Sequence, residues 1–502
     1  MSRRGQNGRM TVTGTDIPGP TGLPVVGSML DLQRDSLNAF LHARAAHGDV
    51  VRFRAGPPGL RTVVHGVFSA AGAQQVLATD AANFRKDNPF YAEIRESFGN
   101  GLLTAQDADY RRQRRLVQPL FTRRRVDGYG GAVAAEAELA VARWRALAAD
   151  GGSGGSGGGA VTDLVADMNR LALRTVTRIL FGTDLEEAVD VTDRCFPTIS
   201  DYVLHRAYTP LKPPRDWPTP ANRRAGEAIR QVYAVCDRVI AGRLAAGRTG
   251  TGGGAGAGRT GGADTGEGTD TGGGAGGTDD LLDLLARARS DEDRPLDADE
   301  LRDQVLIFLV AGHETTATSL AFTLHLLAHH PEHQRAARAE IDRVLGERLP
   351  TAADMTRLPY LTRCLQEAMR LYPAAPVIGR RAVEACEVDG YVLPAGANVV
   401  VSPWVTHRHP DLWDDPERFD PDRFTPEREA ARHRYAWFPF GGGPRACIGQ
   451  HFSMLESVLA LSVLLRAYEL HPAGDTPYVP VSAGITLQPK GPAPVRLSPT
   501  RA

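Results

Sequence analysis

The sequence predicts a mainly helical α+β protein with small β-sheets. Apolar residues recur at helical spacing along most of the chain, in segments rich in Ala, Leu and Arg. The alternation of apolar and polar residues that is typical of strands is confined to two early segments and one late segment. The chain has 502 residues, of which 42% are hydrophobic, and it can therefore bury one large core or two ordinary ones.

These periodicities predict the following strands and helices, given in chain order. Strands are expected in "DVVRFRA" from Asp49, in "TVVHGV" from Thr62, and in "EVDGYVLPAGANVVVSP" from Glu387, where Gly and Pro turns separate short runs typical of a small sheet. Helices are expected at residues 35–48, 108–118, 128–149, 162–182, 219–246, 297–330, 331–346, 357–371 and 449–467.

Two glycine-rich segments interrupt this pattern, at residues 150–160 and 247–278. Their composition cannot bury enough apolar surface to become ordered, so each is either a linker between domains or a surface insertion. A long insertion costs little, because each doubling of loop length adds only about 0.6 kcal/mol. We expect insertions, because motifs on both sides of these segments have to meet at one site. The prediction is one domain over 18–502, after a disordered polar segment at 1–17.

Charge and cysteine content exclude several classes of protein. The formal net charge is −1, so the chain lacks the basic field that favours binding to nucleic acid or to an anionic membrane. The cysteines are odd in number, scattered and without a CxxC pair, which argues against a disulfide framework or a zinc site and favours a reducing cytoplasm. The first residues contain no apolar run of the kind found in signal peptides or anchors. The five cysteines are Cys195, Cys236, Cys364, Cys386 and Cys447.

The stretch from Val305 to Leu327 is apolar enough to resemble a membrane helix. Its centre contradicts that interpretation, because Glu314 would lie near the middle of the bilayer at a cost of about 2.5 to 3.5 kcal/mol. We expect a long helix through the core of a soluble protein.

One cysteine lies in an unusual local sequence, "FPFGGGPRACIGQHF". The glycines before Cys447 let the backbone pass close to a bulky flat group, and the following residues predict a helix that begins just after it. A thiolate at a helix N-terminus has a lowered pKa and suits a metal. The alternative is a buried cysteine that acts as a small hydrophobic residue.

The residues around this cysteine follow the pattern FxxGxRxCxG, which resembles the haem-binding signature of the cytochrome P450 family. The resemblance implies that Cys447 is the proximal axial ligand of haem b, that Phe440 packs beside the sulfur, and that Arg445 pairs with a haem propionate. It also implies that Gly443 and Gly449 allow close backbone approach. A thiolate ligand pushes electron density onto iron, which favours O–O cleavage.

A second match is "EAMR", in which Glu367 and Arg370 share one face of a predicted helix. Such a pair is common on exposed helices and carries little information by itself. Together with Arg418 in the later "DPERFDPDRF", it resembles the Glu-Arg-Arg triad of the family. That triad implies a buried, structural charge network ahead of the cysteine loop.

The third match is "AGHETT" in the long apolar helix. Gly312 and the threonines are poor helix formers, so we expect a local distortion that opens a pocket, and the alternative is a polar break in a buried helix. The segment resembles the oxygen-activating stretch of the family, which implies that Ala311 and Gly312 lie against the haem. By the same resemblance Thr315 binds dioxygen and Glu314 relays protons into a dry pocket.

Haem propionates need cationic partners, and the resemblance implies Arg114, Arg380 and Arg445 for this role. Tyr110 stands where relatives often have Trp or His, and its hydrogen bond to a propionate is left open. The nearby arginines are either a solvated face or a docking patch for an acidic electron donor. They are Arg111, Arg112, Arg115, Arg123, Arg124 and Arg125.

The resemblance runs from Pro18 to the C-terminal region and implies a monooxygenase that uses O₂. No flavin or nicotinamide domain follows the haem region, so electrons are expected from a separate ferredoxin and ferredoxin reductase, and the protein is expected to be a monomer. The substrate is expected to be a hydrophobic small molecule of terpenoid, polyketide or fatty-acid type. Alternatives are a peroxide-using or isomerising enzyme and a non-catalytic haem-binding sensor. The expected pocket residues lie at 88–103, 309–311, 374–378 and 484–485.

Overall fold

The structure is a computed structural model that describes residues 16–150, 159–182, 186–209, 212–249, 281–288, 294–474 and 479–500. Helices dominate the described residues. In chain order they are α1 Met29–His47, α2 Ala70–Gln74, α3 Pro89–Phe98, α4 Asp107–Val117, α5 Arg123–Asp127, α6 Gly130–Asp150, α7 Leu164–Phe181, α8 Glu186–Tyr208, α9 Pro220–Thr249, α10 Leu281–Arg287, α11 Ala298–His329, α12 Pro331–Leu345, α13 Pro359–Leu371, α14 Pro403–Thr406, α15 Pro426–Ala431 and α16 Gln450–Ala467.

Each of the nine helices predicted from the sequence is present. The first begins six residues early, at Met29, and leaves helical geometry at Asp35, which is where the sequence predicted its start. Among the longer helices, α3 and α8 were missed. Helix α8 contains Pro197 in its interior, and an internal proline weakens the sequence signal for a helix.

The strands form small sheets, as the sequence predicted. They are β1 Val50–Ala55, β2 Thr62–Val67, β3 Phe84–Arg85, β4 Val161–Asp163, β5 Ile378–Ala382, β6 Cys386–Val388, β7 Tyr391–Leu393, β8 Asn398–Val401, β9 Tyr468–Pro472, β10 Val481–Ala483, β11 Leu487–Pro489 and β12 Pro494–Pro499. The largest sheet has the order β1-β2-β8-β5-β3, and β2 and β8 are parallel in it. The other sheets are β4-β12-β9, β10-β11 and β6-β7.

Helix α11 connects the two main parts of the core. Its N-terminus carries a capping box, in which the Asp297 side chain accepts from the Glu300 backbone N–H and the Glu300 side chain accepts from the Asp297 backbone N–H. Leu301 and residues 305–310 belong to one buried cluster with α3, α7, α8 and α9. Residues 317–328 belong to a second cluster with α1, α6, α13 and α16. The segment between them, 311–316, therefore lies between two apolar cores.

Helix α11 is also long and apolar enough to span a membrane. Its most apolar window has a mean hydropathy of 1.4, but 78% of that window is buried inside the protein, as the sequence predicted for a core helix. The expected distortion at Gly312 and Thr315 is wrong, because the helix is continuous from Ala298 to His329.

The segment 1–17 and the two glycine-rich segments lie mostly outside the described residues, so their predicted character stays a prediction. The structure changes one boundary. Helix α9 continues to Thr249, and the second glycine-rich segment therefore begins inside a helix rather than after it.

Candidate active site

The loop before α16 holds Cys447 through its backbone. The Cys447 N–H donates to the Phe440 carbonyl oxygen at 2.9 Å, and Gly449 is the residue that precedes the helix. Gly443 has a positive φ of 62°, and a Cβ atom there would overlap the Leu77 carbonyl oxygen. At Gly443 the backbone therefore packs closely against Leu77 of the protein itself. This contact holds the loop that carries the thiol.

The Cys447 side chain is exposed to a cavity that Phe440 and Gly449 also line. Burial raises the pKa of the thiol, although the Gly449 N–H and the cations Arg114 and Lys86 favour the thiolate. The predicted lowering of this pKa is wrong because desolvation outweighs the helix N-terminus. Metal binding deprotonates a cysteine and supplies the positive charge that this buried thiolate needs.

The cavity has a volume of about 330 Å³, at the lower end of the range for small-molecule sites. Its wall is mostly apolar, and most of the expected segments contribute to it. They supply Phe90, Tyr91, Ile94, Leu103, Val310, Ala311, Ala374, Ala375, Val377, Ile378 and Ile485. Leu309 and Gly484 were expected on the wall and are not among the residues that line it.

Several lining residues were not predicted. Phe121 and Phe308 form an edge-to-face pair with ring centroids 5.3 Å apart, and α7 contributes Val176, Ile179 and Leu180. The sequence gives no local signal for these residues, because their exposure to the cavity depends on how α7 and α11 cross.

The middle of α11 forms one wall of the cavity through Ala311, Gly312 and Thr315. A Cβ atom on Gly312 would come within 3.0 Å of Val176 Cγ2, so the glycine lets α7 and α11 approach closely. Thr315 Oγ1 donates to the Ala311 carbonyl oxygen at 2.7 Å. Glu314 is not on the cavity wall, and burial raises its pKa to about 7.

Three cations line one side of the cavity: Lys86 and Arg380, which are buried, and Arg445, which is half-buried. Their hydrogen bonds go to the backbone, from Lys86 Nζ to Leu103 O at 3.3 Å, from Arg380 Nη1 to Gly379 O at 2.8 Å, and from Arg445 Nη1 to Ala105 O at 2.7 Å. Among the described residues none of the three forms an ion pair with a carboxylate.

Burial lowers the pKa of each of these cations, that of Arg445 to about 10. Arg380 and Arg445 also lower the pKa of Lys86 through repulsion. Unpaired buried cations are costly, so this side of the cavity is built for an anion. Lys86 was missed by the sequence reasoning, although it is one of only three lysines in the chain and could have been singled out for that reason.

Tyr110 and Arg114 lie behind the cysteine loop rather than on the cavity wall. Tyr110 Oη donates to Pro444 O at 2.6 Å and accepts from Arg114 Nη1 at 3.0 Å. Arg114 Nη1 also donates to Ala446 O at 2.9 Å, and the guanidinium of Arg445 stacks 3.5 Å above the Tyr110 ring. These two residues therefore hold the backbone next to the cysteine, and a direct propionate contact for either stays a prediction.

The Glu-Arg pair of α13 is completely buried. Arg370 Nε and Nη2 donate to Glu367 Oε2 and Oε1 at 2.7 and 2.8 Å. The third arginine was predicted wrongly. The Arg418 side chain is 62% exposed and pairs with Asp420, because its segment turns it outward. Arg423 instead places Nε 3.3 Å from Glu367 Oε1.

Arg418 still meets the network through its backbone, because its carbonyl oxygen accepts from Arg370 Nη2 at 3.1 Å. The arginines that follow Tyr110 fall into two groups. Arg112 is largely buried and pairs with Glu300, so it is unavailable for a partner, whereas Arg111, Arg115 and 123–125 are exposed.

The comparisons with known proteins agree with this site. The sequence profile of the family described as Cytochrome P450 matches residues 17–494. This chain is a cytochrome P450. The match spans both glycine-rich segments and includes every residue of the candidate site.

Curated relatives of this cytochrome P450 include oxygenases from Streptomyces. It is 34% identical over 93% of its length to the cyclooctat-9-en-7-ol 5-monooxygenase of Streptomyces melanosporofaciens, of which it covers 92%. It is 32% identical over 94% of its length to the pentalenene oxygenase of Streptomyces avermitilis, of which it covers 95%. One is named as a monooxygenase and the other as an oxygenase, and this cytochrome P450 is an oxidoreductase.

A solved structure extends the similarity to the fold. The crystal structure of the cytochrome P450DA heme domain aligns with a TM-score of 0.79 and 28% identity over 97% of this chain and 98% of that chain. The residues of this cytochrome P450 fit the haem-thiolate cofactor that the family implies. A cysteine thiol faces the cavity, and the cavity wall is mostly apolar. Three cations on that wall can pair with the carboxylates of the haem propionates.

Proposed function

We propose that this protein is a haem-thiolate monooxygenase that oxidises an apolar terpenoid. The observation that carries this proposal is Cys447 opening into a mainly apolar cavity beside three cations that form no ion pair with a carboxylate among the described residues. When bound, haem b with a thiolate ligand supplies an iron centre that activates O₂ for insertion of one oxygen atom into a substrate.

Residues of this chain would bind the cofactor at its iron and at its propionates. Cys447 would provide the thiolate ligand of the iron. Lys86, Arg380 and Arg445 would pair with the propionates, because none of them forms an ion pair with a carboxylate of the described residues. Phe440, Ala311 and Gly312 would pack on its flat surface.

Thr315, on the cavity wall, and the neighbouring Glu314 would supply protons to the cavity. The Thr315 hydroxyl reaches the cavity, and because its single proton is donated to Ala311 O, its oxygen can accept a hydrogen bond from a group in the cavity. A carboxyl group with a pKa of about 7 can give up and regain a proton near neutral pH, which suits Glu314 for supplying protons where bulk water is excluded. This acid-alcohol pair favours the use of O₂ over the peroxide-using and isomerising alternatives.

The substrate class rests on the wall and on the relatives. Phe90, Phe121, Phe308 and Ile485 present apolar surface, and the cations of the cavity are reserved for the cofactor. A substrate with a carboxylate would therefore lack a separate cationic partner among the described lining residues. Relatives named for cyclooctat-9-en-7-ol and pentalenene support a polycyclic hydrocarbon or its alcohol.

The same proposal includes the partners and setting. A ferredoxin with its reductase would deliver electrons to the face where Arg115 and 123–125 are exposed, because complementary charge steers acidic proteins to such a face. We also propose one domain over 18–502 with the two glycine-rich insertions, a monomeric state and a cytoplasmic location. The family match across both insertions supports the single domain.

The absorption spectrum of the reduced protein under carbon monoxide tests the cofactor. We expect a band shifted to the red by the thiolate, lost in Cys447→Ala and kept in Cys386→Ala, a matched variant at a cysteine away from the cavity. A histidine-like band, or an unchanged band in Cys447→Ala, would refute the proposal.

Substrate class is tested with the sesquiterpene hydrocarbon humulene and with lauric acid. Displacement of water from ferric haem on binding changes the spectrum, and we expect this change at lower concentrations of humulene than of lauric acid. The reverse order would favour a fatty-acid hydroxylase.

A further inference from the structure

Helix α3 carries a buried carboxylate next to its cavity-lining residues. Phe90, Tyr91 and Ile94 line the cavity, whereas Glu93 is not among the described residues that line it. Glu93 is only 5% exposed, and Ser97, one turn further along α3, is completely buried. A buried carboxylate is costly unless partners supply positive charge and hydrogen bonds. Glu93 therefore requires cationic partners directly beside the cavity wall.

Three cations supply those partners, and all of them come from the end of α8 and the segment that follows it. Arg206 Nε and Arg215 Nη2 donate to Glu93 Oε2 at 3.0 and 2.5 Å. Lys212 Nζ donates to Glu93 Oε1, and Arg215 Nη2 also reaches Ser97 Oγ at 3.3 Å. Burial by itself raises the pKa of Glu93, but hydrogen bonds from the three cations outweigh it and lower that pKa to about 2. The carboxylate is therefore ionised at neutral pH.

The segment after α8 is also anchored by hydrogen bonds of its own. Arg206 Nη1 donates to Pro213 O at 2.7 Å. Asn222 Nδ2, in α9, donates to Pro214 O at 2.7 Å. Tyr202 Oη, in α8, donates to Asn222 Oδ1 at 2.8 Å. Helix α3 is therefore joined through its carboxylate to a segment that is held by both α8 and α9.

One carboxylate balances three positive charges in this cluster. Among the described residues, Arg206, Lys212 and Arg215 form no ion pair with any carboxylate other than Glu93. Removal of that negative charge would leave three cations close together, and like charges repel. The segment after α8 would then separate from α3, and α3 would lose the contact that fixes it.

We propose that Glu93 is a positioning residue that fixes α3 and thereby the shape of the cavity wall that meets the substrate. It acts through Phe90, Tyr91 and Ile94, which move with the helix that carries them. This inference rests on the proposed binding of an apolar substrate in this cavity. A wall that is already ordered binds a ligand that fills the cavity without a further ordering cost, whereas a very small ligand gains little from it.

The test uses the full-length, haem-loaded protein and two ligands that coordinate haem iron, phenylimidazole and imidazole. The phenyl group has to pack on the apolar wall, whereas imidazole is too small to need it. Glu93→Gln keeps the size of the side chain and removes its charge. We expect the dissociation constant of phenylimidazole, read from the absorption spectrum, to rise about tenfold in this variant, and that of imidazole to stay unchanged.

Amide hydrogen exchange follows the helix itself, without a ligand. The amides of residues 89–98 should exchange about ten times faster in Glu93→Gln than in wild type. Arg215→Met keeps two cations on the carboxylate, so it should fold normally and shift both quantities in the same direction by a smaller factor. Glu96→Gln is the matched control, because Glu96 is an exposed carboxylate on the same helix, and it should change neither quantity.

Wild-type values of both quantities in Glu93→Gln and Arg215→Met would overturn the inference. Faster exchange with an unchanged ratio of the two dissociation constants would overturn it as well, because Glu93 would then stabilise α3 without shaping the cavity. These outcomes are separate from the proposed function. If humulene fails to bind while the ratio shifts as expected, the terpenoid proposal fails and the positioning role of Glu93 stands.

Discussion

At the residue scale, the hydroxyl of Thr315 has a defined direction, because it bonds to Ala311 O within its own helix while it faces the cavity. We expect Thr315→Ala to divert reducing equivalents to hydrogen peroxide, with haem content unchanged. The substitution removes the hydroxyl that ends the proposed proton-delivery route at the cavity. Peroxide formed per NAD(P)H consumed is the measurement, and Thr315→Ser should recover most of the coupling. A haem sensor without turnover would show equal peroxide yields in all three proteins.

Lys86 is a second residue whose environment makes a specific prediction. Its ammonium is buried beside two other cations, so Lys86→Met should stabilise the haem-free protein against heat and weaken its hold on haem. Loss of a charge-assisted bond predicts that haem transfer to apomyoglobin becomes about ten times faster. Lys490→Met, at an exposed lysine, is the control and should change neither quantity. An unchanged transfer rate in Lys86→Met would show that the cavity cation does not bind the cofactor.

At the element scale, α13 is joined to the segment after α14 by the buried Glu367 network. Arg423 donates to Asp415 O at 2.8 Å as well as facing Glu367, so it links two parts of that segment. We expect Arg423→Ala to lower the free energy of unfolding by about 1 to 3 kcal/mol and to reduce haem content, because Asp415 O loses its donor and the buried Glu367 carboxylate loses a neighbouring positive charge.

Arg418→Ala provides the matched comparison, since its side chain is exposed and its carbonyl contact survives the substitution. Its effect should stay within about 0.5 kcal/mol. Urea unfolding of both variants measures the difference. Equal destabilisation by the two substitutions would restore Arg418 as the third member of the triad.

At the scale of the whole molecule, the glycine-rich segment at 247–278 is predicted to be an insertion into one domain, and residues 250–278 of it follow α9. Replacement of residues 250–278 by a short Gly-Ser linker should leave the unfolding midpoint and the carbon monoxide spectrum unchanged, because loop length has a weak effect on stability. A deletion extended back into α9 as far as Val232 removes Val232, Cys236 and Ile240 from the core and should abolish haem binding. If the short deletion alone unfolds the protein, the insertion prediction is wrong.

The helices were predictable because their signal is local. Periodic apolar residues fixed α7, α9, α11 and α16 to within a few residues, and capping at Asp297 agrees with the predicted start of α11. The signature around Cys447 likewise gave the family directly, and the profile match over 17–494 confirmed it. Helix α8 was hidden because Pro197 interrupts a pattern that tertiary packing nevertheless makes helical.

The sequence by itself determined the fold class, the family and the cysteine at the centre of the site, because each depends on short-range pattern. Only the tertiary structure decided which charges meet. Lys86 lies near Arg380, a second cation, because β3 pairs with β5. Arg423 rather than Arg418 pairs with Glu367 because of how the chain turns between the two arginines. The tertiary structure also decided the pKa of Cys447, since desolvation by the surrounding protein outweighs the local effect of a helix N-terminus. Charge pairing and burial depend on contacts between distant segments, and no local pattern in the sequence specifies them.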